Sequence, residues 1–351
     1  MTTAPTQVPP SGARVAAPAK GRAPGTARRA FLLLAAVAAL AVAVLASVMF
    51  GSRSTPLGDV LDVVRGQADP YITTVVESRY PRTALGVLAG VTLAVAGTLM
   101  QGITRNPLAD PGLLGINTGA SAGVVTATAY LGVSGQAATV WWALPGALVA
   151  GVLLQVIGSS GGGNLVRLVL AGAVISAVLS AYIQAVTLSK PKVFDSYRYW
   201  VVGALGGRDF DVLWAVLPFA VAGLVLALVM APGLNALALG DESATSLGAN
   251  PVWLRVGGLV AATLLSASAT AAVGPIAFVG LAVPHVARAL AGIDFRAQLV
   301  FSAVLGPTLL LFADVVGRVL LRPQELMVGV VTAFVGAPAL LFAVRRMKGT
   351  T

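Results

Sequence analysis

Residues 79–115 read RYPRTALGVLAGVTLAVAGTLMQGITRNPLADPGLLG, a run that begins with Arg79 and Arg82 and ends in a loop with two prolines and an aspartate. Residues 83–103, between the arginines and that loop, contain no charged side chain. A helix needs roughly 20 predominantly apolar residues to cross a bilayer. The run therefore predicts a membrane-spanning helix with positive charge at one end and a structured loop at the other.

The composition of the whole chain agrees with this prediction. Of its 351 residues, 57% are hydrophobic and 10% are charged, whereas a soluble domain carries roughly 25% charged residues. The net charge is +10, but the basic residues flank apolar stretches, so membrane topology explains them better than nucleic-acid binding. The chain has no cysteine, which excludes disulfides and iron–sulfur clusters. We therefore expect a multispanning membrane protein.

Apolar stretches of spanning length recur along the chain. Residues 1–29 are rich in Pro, Ala, Gly and Arg, which predicts a disordered cytoplasmic tail before a transmembrane domain over 30–346. A signal peptide has an apolar core of about 7–15 residues, so the longer stretch 30–50 predicts a retained first span. The further predicted spans are 83–103, 112–132, 138–158, 164–188, 212–231, 252–272, 298–320 and 326–344. A shorter, proline-broken stretch at 274–290 predicts a tenth helix, and the aromatic-rich residues 195–206 predict an interfacial helix.

Ten spans place both termini on the same side of the membrane. With the N-terminus inside, the inner segments hold thirteen of the 23 basic residues and the outer segments hold ten. Cytoplasmic loops and termini carry an excess of Lys and Arg. This bias, together with basic residues near both termini, predicts that both termini are cytoplasmic.

Two short segments resemble each other. Pro107-Leu108-Ala109-Asp110-Pro111-Gly112-Leu113 and Pro275-Ile276-Ala277-Phe278-Val279-Gly280-Leu281 share the pattern Pro-apolar-Ala-x-x-Gly-Leu. In the predicted topology they lie on opposite faces of the membrane. Related segments in opposite orientation are typical of an inverted repeat.

Several motifs follow one another in a fixed order. They are Arg79-x-Pro81-Arg82, Gly97 with Gln101, the loop that contains Asn106, Pro107, Asp110, Pro111 and Gly115, the segment Leu239-Gly240-Asp241 with Ala244 and Leu247-Gly248, the segment Gly274-Pro275 to Gly280 with Pro284-His285, and Asp314 with Arg318. Each motif alone is a weak signal. In this order, over about residues 56–345, they resemble the permease subunits of ATP-binding-cassette (ABC) importers for iron-siderophore complexes, haem and vitamin B12.

The resemblance implies a fold and a set of partners. The fold would be an all-α polytopic membrane protein of about ten transmembrane helices with an inverted repeat, like the vitamin B12 permease. The permease would form a homodimer or pair with a related permease. Two cytoplasmic ATPase subunits and an extracytoplasmic substrate-binding protein would attach to it. It would carry no catalytic residue, metal or cofactor.

Three arginines are candidates for contact with the binding protein. Arg79 and Arg82 are three residues apart at the predicted outer end of one span, and Arg318 is at the outer end of another. Alone, such arginines would be interpreted as lipid-headgroup anchors. The resemblance implies instead that they meet acidic residues of the binding protein, which suits the guanidinium group because it binds carboxylates bidentately.

The predicted cytoplasmic loop over 234–253 is the candidate for contact with the ATPase. Gly240 and Gly248 bracket a short segment that starts with Asp241-Glu242, as suits a helix N-terminus. Without the resemblance, this segment would be a solvated connecting helix. The resemblance implies a coupling helix, with the contributing residues Leu239, Gly240, Asp241, Ala244, Leu247 and Gly248.

The remaining motif residues are expected to line the pathway or to support the structure. His285 is the single histidine of the chain, so no two-histidine metal site can form, and no Ser-His pair can form elsewhere in the chain. Gly161-Gly162-Gly163-Asn164 is followed by no Gly-Lys-Ser/Thr, so we interpret it as a loop between spans. Asp314 and Arg318 are four residues apart on one helix, and we expect them to pair.

The sequence therefore predicts the permease of an ABC importer in the bacterial cytoplasmic membrane, with ATP hydrolysis by a separate subunit. The expected cargo is a ferric siderophore, with haem and cobalamin as alternatives. The rival function is an ion-driven secondary transporter. Such a transporter should cluster polar residues at the bilayer midplane, and here Asp314, Gln155 and Gln184 are the main candidates.

Overall fold

A computed structural model describes residues 26–51, 54–159 and 165–348, and within these ranges the chain forms helices connected by short segments. The first 25 residues, including most of the predicted tail, and the loop Gly161-Gly162-Gly163-Asn164 lie outside the described residues. A 3₁₀ helix, Pro111–Leu114, precedes the fifth α-helix. The α-helices are α1 (Thr26–Met49), α2 (Leu57–Val64), α3 (Pro70–Glu77), α4 (Arg79–Thr104), α5 (Ile116–Tyr130), α6 (Gln136–Ser159), α7 (Leu165–Ser189), α8 (Pro191–Trp200), α9 (Phe210–Leu237), α10 (Asp241–Ser246), α11 (Pro251–Val273), α12 (Val279–Ala291), α13 (Phe295–Leu320) and α14 (Val328–Lys348).

The helices confirm the predicted all-helical membrane fold. Seven helical segments of the described chain are long and apolar enough to cross a membrane, namely those containing α1, α4, α6, α7, α9, α11 and α13. The other three predicted spans correspond to shorter helices: α5 with 15 residues, α12 with 13, and α14, whose described apolar part is Val328–Pro338.

Helices α4 and α11 form the centre of the bundle. About 78% of the most apolar part of each is buried inside the protein, against 17% for α1 and 28% for α7. Small residues on α4 allow its neighbours to approach closely. A Cβ on Gly90 would stand 2.3 Å from the Cα of Pro307 on α13, and a Cβ on Gly97 would overlap the carbonyl oxygen of Gly280 on α12. Glycine is therefore required at both positions.

Helix α4 connects two charged ends of the bundle. Its 26 residues span about 39 Å at 1.5 Å per residue. At its first turn, Arg82 contacts Asp314 near the end of α13, and we call this the Arg82 end. At its last turn, Arg105 contacts Asp241 at the start of α10, and we call this the Asp241 end. The charged candidate residues therefore lie at opposite ends of one buried helix.

Several helices differ in extent from the predicted apolar stretches. Helix α4 begins at Arg79, so it includes the two arginines ahead of the apolar stretch 83–103, and α2 and α3 precede it without having been predicted. The predicted interfacial helix at 195–206 is α8, which begins earlier and ends at Trp200. The predicted helix at 274–290 begins only at Val279. Helix α11 ends at Val273, because Gly274 adopts a positive φ of 80° and Pro275 has no N–H to continue the helix, and the residues up to Phe278 are not helical.

The two similar segments meet in the structure. Pro111–Leu114 leads into the short helix α5, and the segment that ends at Phe278 leads into the short helix α12. The Oδ2 atom of Asp110 lies 3.0 Å from where a Cβ of Gly280 would stand. Helices α4 and α11, which precede these segments, run in opposite directions between the Arg82 and Asp241 ends. This arrangement favours the predicted inverted repeat.

Candidate functional site

A buried ion-pair network lies at the Arg82 end. Arg82 binds the carboxylate of Asp314 through two nitrogens, with Nε 3.0 Å from Oδ2 and Nη2 2.8 Å from Oδ1. Its Nη1 atom donates to Oε2 of Glu325 at 2.8 Å. Arg318 joins the network through an ion pair, with Nη2 2.9 Å from Oδ2 of Asp314. The predicted pair of Asp314 and Arg318 is therefore present, and Arg82 joins it.

Arg79 and Arg318 also hold the last turn of α1. Nη1 of Arg79 donates to the carbonyl oxygens of Val48 at 2.6 Å and Met49 at 2.8 Å. Nη1 of Arg318 donates to the carbonyl oxygen of Ser47 at 3.0 Å. The last four carbonyls of a helix have no partner within that helix, and cations are favourable there. Both arginines therefore cap α1.

Exposure differs among the three candidate docking arginines. Side chains are 15% exposed for Arg82 and 1% for Arg318, and Arg79 is 7% exposed as a residue. A cavity of about 420 Å³ is lined by all three and by Glu325, whose side chain is 36% exposed. The predicted docking role stays a prediction, and Arg82 is the most exposed of the three arginines.

A second charged cluster fastens α10 at the Asp241 end. Asp241 accepts hydrogen bonds from Nη2 of Arg105 at 2.6 Å and from Nη2 of Arg255 at 2.7 Å. Arg105 also donates to the carbonyl oxygen of Leu237, the last residue of α9. Burial tends to raise the pKa of Asp241, but hydrogen bonds and charge from Arg255 and Arg105 lower it overall. Asp241 thus links α4, α9, α10 and α11.

The residues that flank α10 present apolar side chains outside the bundle. Ala244 is fully buried, whereas Leu239 and Leu247 are 67% and 66% exposed. Gly240 and Gly248 lie on either side of the helix with φ values of +114° and +80°, a region in which other residues are strained. The predicted short helix between two glycines is therefore present, and its role in coupling stays a prediction.

The motif residues between α4 and α5 form local contacts. The Asn106 side chain accepts from the N–H of Leu108 at 2.9 Å, and Asp110 accepts from the N–H of Gly112 at 2.7 Å. Pro111 starts the 3₁₀ helix, and Gly115 ends it with a φ of +93°. These contacts shape the loop, which begins after Thr104 and reaches Gly280 at the start of α12.

The motif residues around α12 surround the same region. Gln101 donates from Nε2 to the carbonyl oxygen of Leu281 at 3.2 Å, which connects α4 to the first turn of α12. Pro284 is buried inside α12. The Nε2 atom of His285 finds no hydrogen-bond partner among the described residues. In the described part of the chain, no group of His, Cys, Asp or Glu could hold a metal ion.

Some residues of these clusters escaped the sequence analysis. Arg105 and Arg255 were counted among the thirteen basic residues of the inner segments without a predicted partner, and Arg82 was not expected to pair with Asp314. Arg82 and Asp314 are 232 residues apart, and Arg105 and Asp241 are 136 apart. The sequence placed Arg82 at a predicted span end and Asp314 inside the predicted span 298–320. Such positions indicate a depth along the bundle but not the partner.

Comparison with known proteins identifies the class. The chain matches the FecCD transport family over residues 39–346. It is 46% identical over 311 residues to the ferric enterobactin transport system permease protein FepD of Escherichia coli K12, covering 88% of this chain and 92% of FepD. It is 41% identical over 268 residues to the Fe(3+)-citrate import system permease protein YfmD of Bacillus subtilis 168, covering 76% and 80%. A solved metal-chelate type ABC transporter in an inward-facing conformation has a TM-score of 0.80 at 26% identity, covering 91% of this chain and 99% of that one.

These likenesses define a multi-pass membrane permease of the ABC importer type. The chain belongs to the FecCD transport family. The predicted family and fold are confirmed.

Proposed function

We propose that this chain is the permease subunit through which an ABC importer moves a ferric chelate into the cytoplasm. The observation that carries the proposal is the arrangement of α4 in a chain of this family. The cavity lined by Arg82 and Glu325 lies at its first turn. At its other end, Arg105 holds α10, which is flanked by the exposed Leu239 and Leu247. These two ends would receive the binding protein and the ATPase respectively.

The Asp241 end faces the cytoplasm in this proposal, as do both termini. The excess of basic residues in the predicted inner segments supports this orientation. The exposed Leu239 and Leu247 beside α10 offer an apolar surface for an ATPase subunit. Because Asp241 joins α10 to α4, α9 and α11, a push on α10 would move the central helices as a unit.

The Arg82 end receives the binding protein. Arg82 is the best placed of the three predicted arginines, since its side chain is partly exposed in a cavity. An incoming carboxylate would compete with Glu325, the more exposed of its two partners. Charges at a solvent-exposed rim are screened with a Debye length of about 8 Å at physiological ionic strength. Affinity for the binding protein should therefore fall as salt is added.

The energy source is a separate ATPase, and two permeases assemble as a homodimer or as a close heterodimer. The sequence contains no Gly-Lys-Ser/Thr phosphate-binding motif. The cargo is a ferric siderophore rather than cobalamin, because FepD belongs to a ferric enterobactin transport system and YfmD to an Fe(3+)-citrate import system. A haem permease, HmuU of Yersinia pestis, is 36% identical over 275 residues, which keeps haem as the second candidate.

An ATPase assay with the assembled importer in nanodiscs compares the candidate cargoes. Binding protein loaded with a ferric siderophore, with haem or with cobalamin is added, and ATP hydrolysis is measured. We expect the binding protein to retain the ferric siderophore best. We also expect the protein loaded with it to stimulate ATP hydrolysis most. Stimulation by cobalamin alone would refute the iron assignment while leaving the permease class intact.

A further inference from the structure

Helix α2 carries a stripe of apolar side chains that the rest of the described chain leaves uncovered. Leu57, Leu61 and Val64 are 45%, 43% and 73% exposed. They are four and three residues apart, so they lie on one face of the helix. Single exposed apolar residues are ordinary in proteins, but a contiguous apolar patch marks a surface that meets a membrane or a partner. Neither the docking arginines nor the coupling segment includes this stripe.

The opposite face of α2 is polar. Asp59 and Asp62 lie on it, and Asp62 forms an exposed ion pair with Arg65, which follows the last turn. An α-helix turns about 100° per residue, so both aspartates point away from the stripe. Helix α2 is therefore amphipathic, and its apolar face is divided between the buried Val60 and the exposed stripe.

The buried side of α2 attaches it to the end of α1. Val60 packs in one cluster with Val48 of α1 and Val76 of α3. The most apolar part of α1 is 17% buried in the protein, less than in the other long apolar helices of the described chain. Val42 and Leu45, within the last two turns of α1, are 57% and 41% exposed and therefore face the hydrocarbon. The stripe thus follows a lipid-facing helix at the level where that helix leaves the bilayer.

Helix α2 lies outside the cavity in which docking is proposed. The cavity that contains Arg82 and Glu325 is lined by Val75 and Ser78 near the end of α3, and no residue of α2 is among its described lining residues. Tyr71, at the start of α3, is 59% exposed. Tyrosine is enriched where a membrane meets water. These positions favour the bilayer over the binding protein as the partner of the stripe.

We propose that α2 is an interfacial helix whose stripe inserts into the outer leaflet of the bilayer beside α1. Amphipathic helices of this kind bury their apolar face about 5–10 Å into the boundary between headgroups and acyl chains. The stripe contacts acyl chains, and anionic headgroups are not required, because α2 and its cap carry two aspartates and one arginine. Only the choice of the outer leaflet rests on the proposed function.

Insertion of α2 holds the end of α1 at a fixed depth. Val60 of α2 packs with Val48, and the carbonyl oxygen of Val48 accepts a hydrogen bond from Arg79 at 2.6 Å. Arg79 also lines the cavity that contains Arg82. Helix α2 therefore connects the bilayer surface to the residues around that cavity.

Quenching of a fluorescent label by lipid tests the insertion. The chain has no cysteine, so bimane is attached to Leu61→Cys in permease reconstituted into phosphatidylcholine nanodiscs. The nanodiscs contain lipid that is spin-labelled near the headgroup end of its acyl chain. We expect this lipid to quench Leu61→Cys at least twofold more than Asp62→Cys, the matched control on the polar face. Val42→Cys on α1 is the positive control for contact with lipid.

A second position on the stripe guards against a local disturbance in Leu61→Cys. Val64→Cys should show the same excess of quenching by lipid, and added phosphatidylglycerol should leave that excess unchanged. Two results would overturn the proposal. One is quenching of both labels by aqueous iodide as strong as that of Asp62→Cys, with no excess quenching by lipid. The other is quenching by lipid that occurs only with phosphatidylglycerol.

The same labels distinguish lipid from the binding protein. With the binding protein added, protection of Leu61→Cys from iodide should stay as it is without that protein. Protection that occurs only in the presence of the binding protein would assign the stripe to docking and overturn the insertion. Failure of the proposed function would be seen separately, as an assembled importer whose ATP hydrolysis the loaded binding protein does not stimulate.

Discussion

Among single residues, Asp314 is the anion that both Arg82 and Arg318 contact at the Arg82 end. Its side chain is 1% exposed, accepts hydrogen bonds from Arg82 and forms an ion pair with Arg318. Two buried guanidinium groups thus depend on one buried carboxylate, and only Arg82 has a second acid, Glu325, as a partner in the described chain. Removing one member of a buried ion pair is strongly destabilising because the remaining charge is left uncompensated.

We therefore predict that Asp314→Asn lowers the free energy of unfolding by about 3 kcal/mol or more. The change keeps the shape of the side chain and removes its charge. Thermal unfolding of the detergent-solubilised protein measures it. Asp62→Asn is the matched control, since the pair of Asp62 and Arg65 is exposed and 3.9 Å long, and its effect should stay within about 0.5 kcal/mol. Equal stability of the two variants would contradict the role of Asp314.

The close contact between α4 and α12 at Gly97 gives a second prediction about stability. A Cβ at this position would overlap the backbone oxygen of Gly280, which cannot move aside as a flexible side chain could. Gly97→Ala should lower the free energy of unfolding by about 1–3 kcal/mol, the usual cost of overpacking. Gly58→Ala on α2 is the control, because nothing lies within 4 Å of its Cβ. An alanine at an exposed helical position should raise stability by up to about 1 kcal/mol. Retained stability in Gly97→Ala would show that α4 and α12 can separate.

At the scale of elements, the apolar spans could be predicted from sequence and the pairs between them could not. Continuous apolar stretches of about 20 residues reveal α4, α9, α11 and α13, because the bilayer sets their length. The short helices α2 and α3 were missed because they are too short and too polar for that criterion. Glycines and an acidic start were enough to predict α10, since both are local signals. The partners of Arg82 and Asp241 depend on packing between helices far apart in sequence.

The contact of α10 with the bundle gives a prediction about coupling. Asp241→Asn removes the charge that Arg105 and Arg255 share, so α10 should lose its firm link to α4 and α11. We expect severalfold less cargo transported per ATP hydrolysed, with an unchanged amount of permease in the membrane. Glu242→Gln, on the exposed side of the same helix, should leave this ratio unchanged. A normal ratio in Asp241→Asn would contradict the coupling role of this cluster.

At the scale of the whole molecule, the orientation in the membrane can be measured directly because the chain contains no cysteine. A single cysteine replaces Leu247 at the Asp241 end or Leu321 at the Arg82 end, both of which are exposed. A membrane-impermeant maleimide should label Leu321→Cys in intact spheroplasts. It should label Leu247→Cys only after permeabilisation. The reverse pattern would place the Asp241 end outside.

We propose that this permease moves cargo at the expense of ATP hydrolysed by a separate subunit. Uptake of a ferric siderophore is measured in proteoliposomes that contain the permease and its ATPase, with the binding protein and cargo outside. We predict uptake when ATP is enclosed, and none when the ATPase is omitted or replaced by a hydrolysis-deficient variant. Uptake by the permease alone, driven by a proton gradient without ATP, would contradict the claim and identify a secondary transporter.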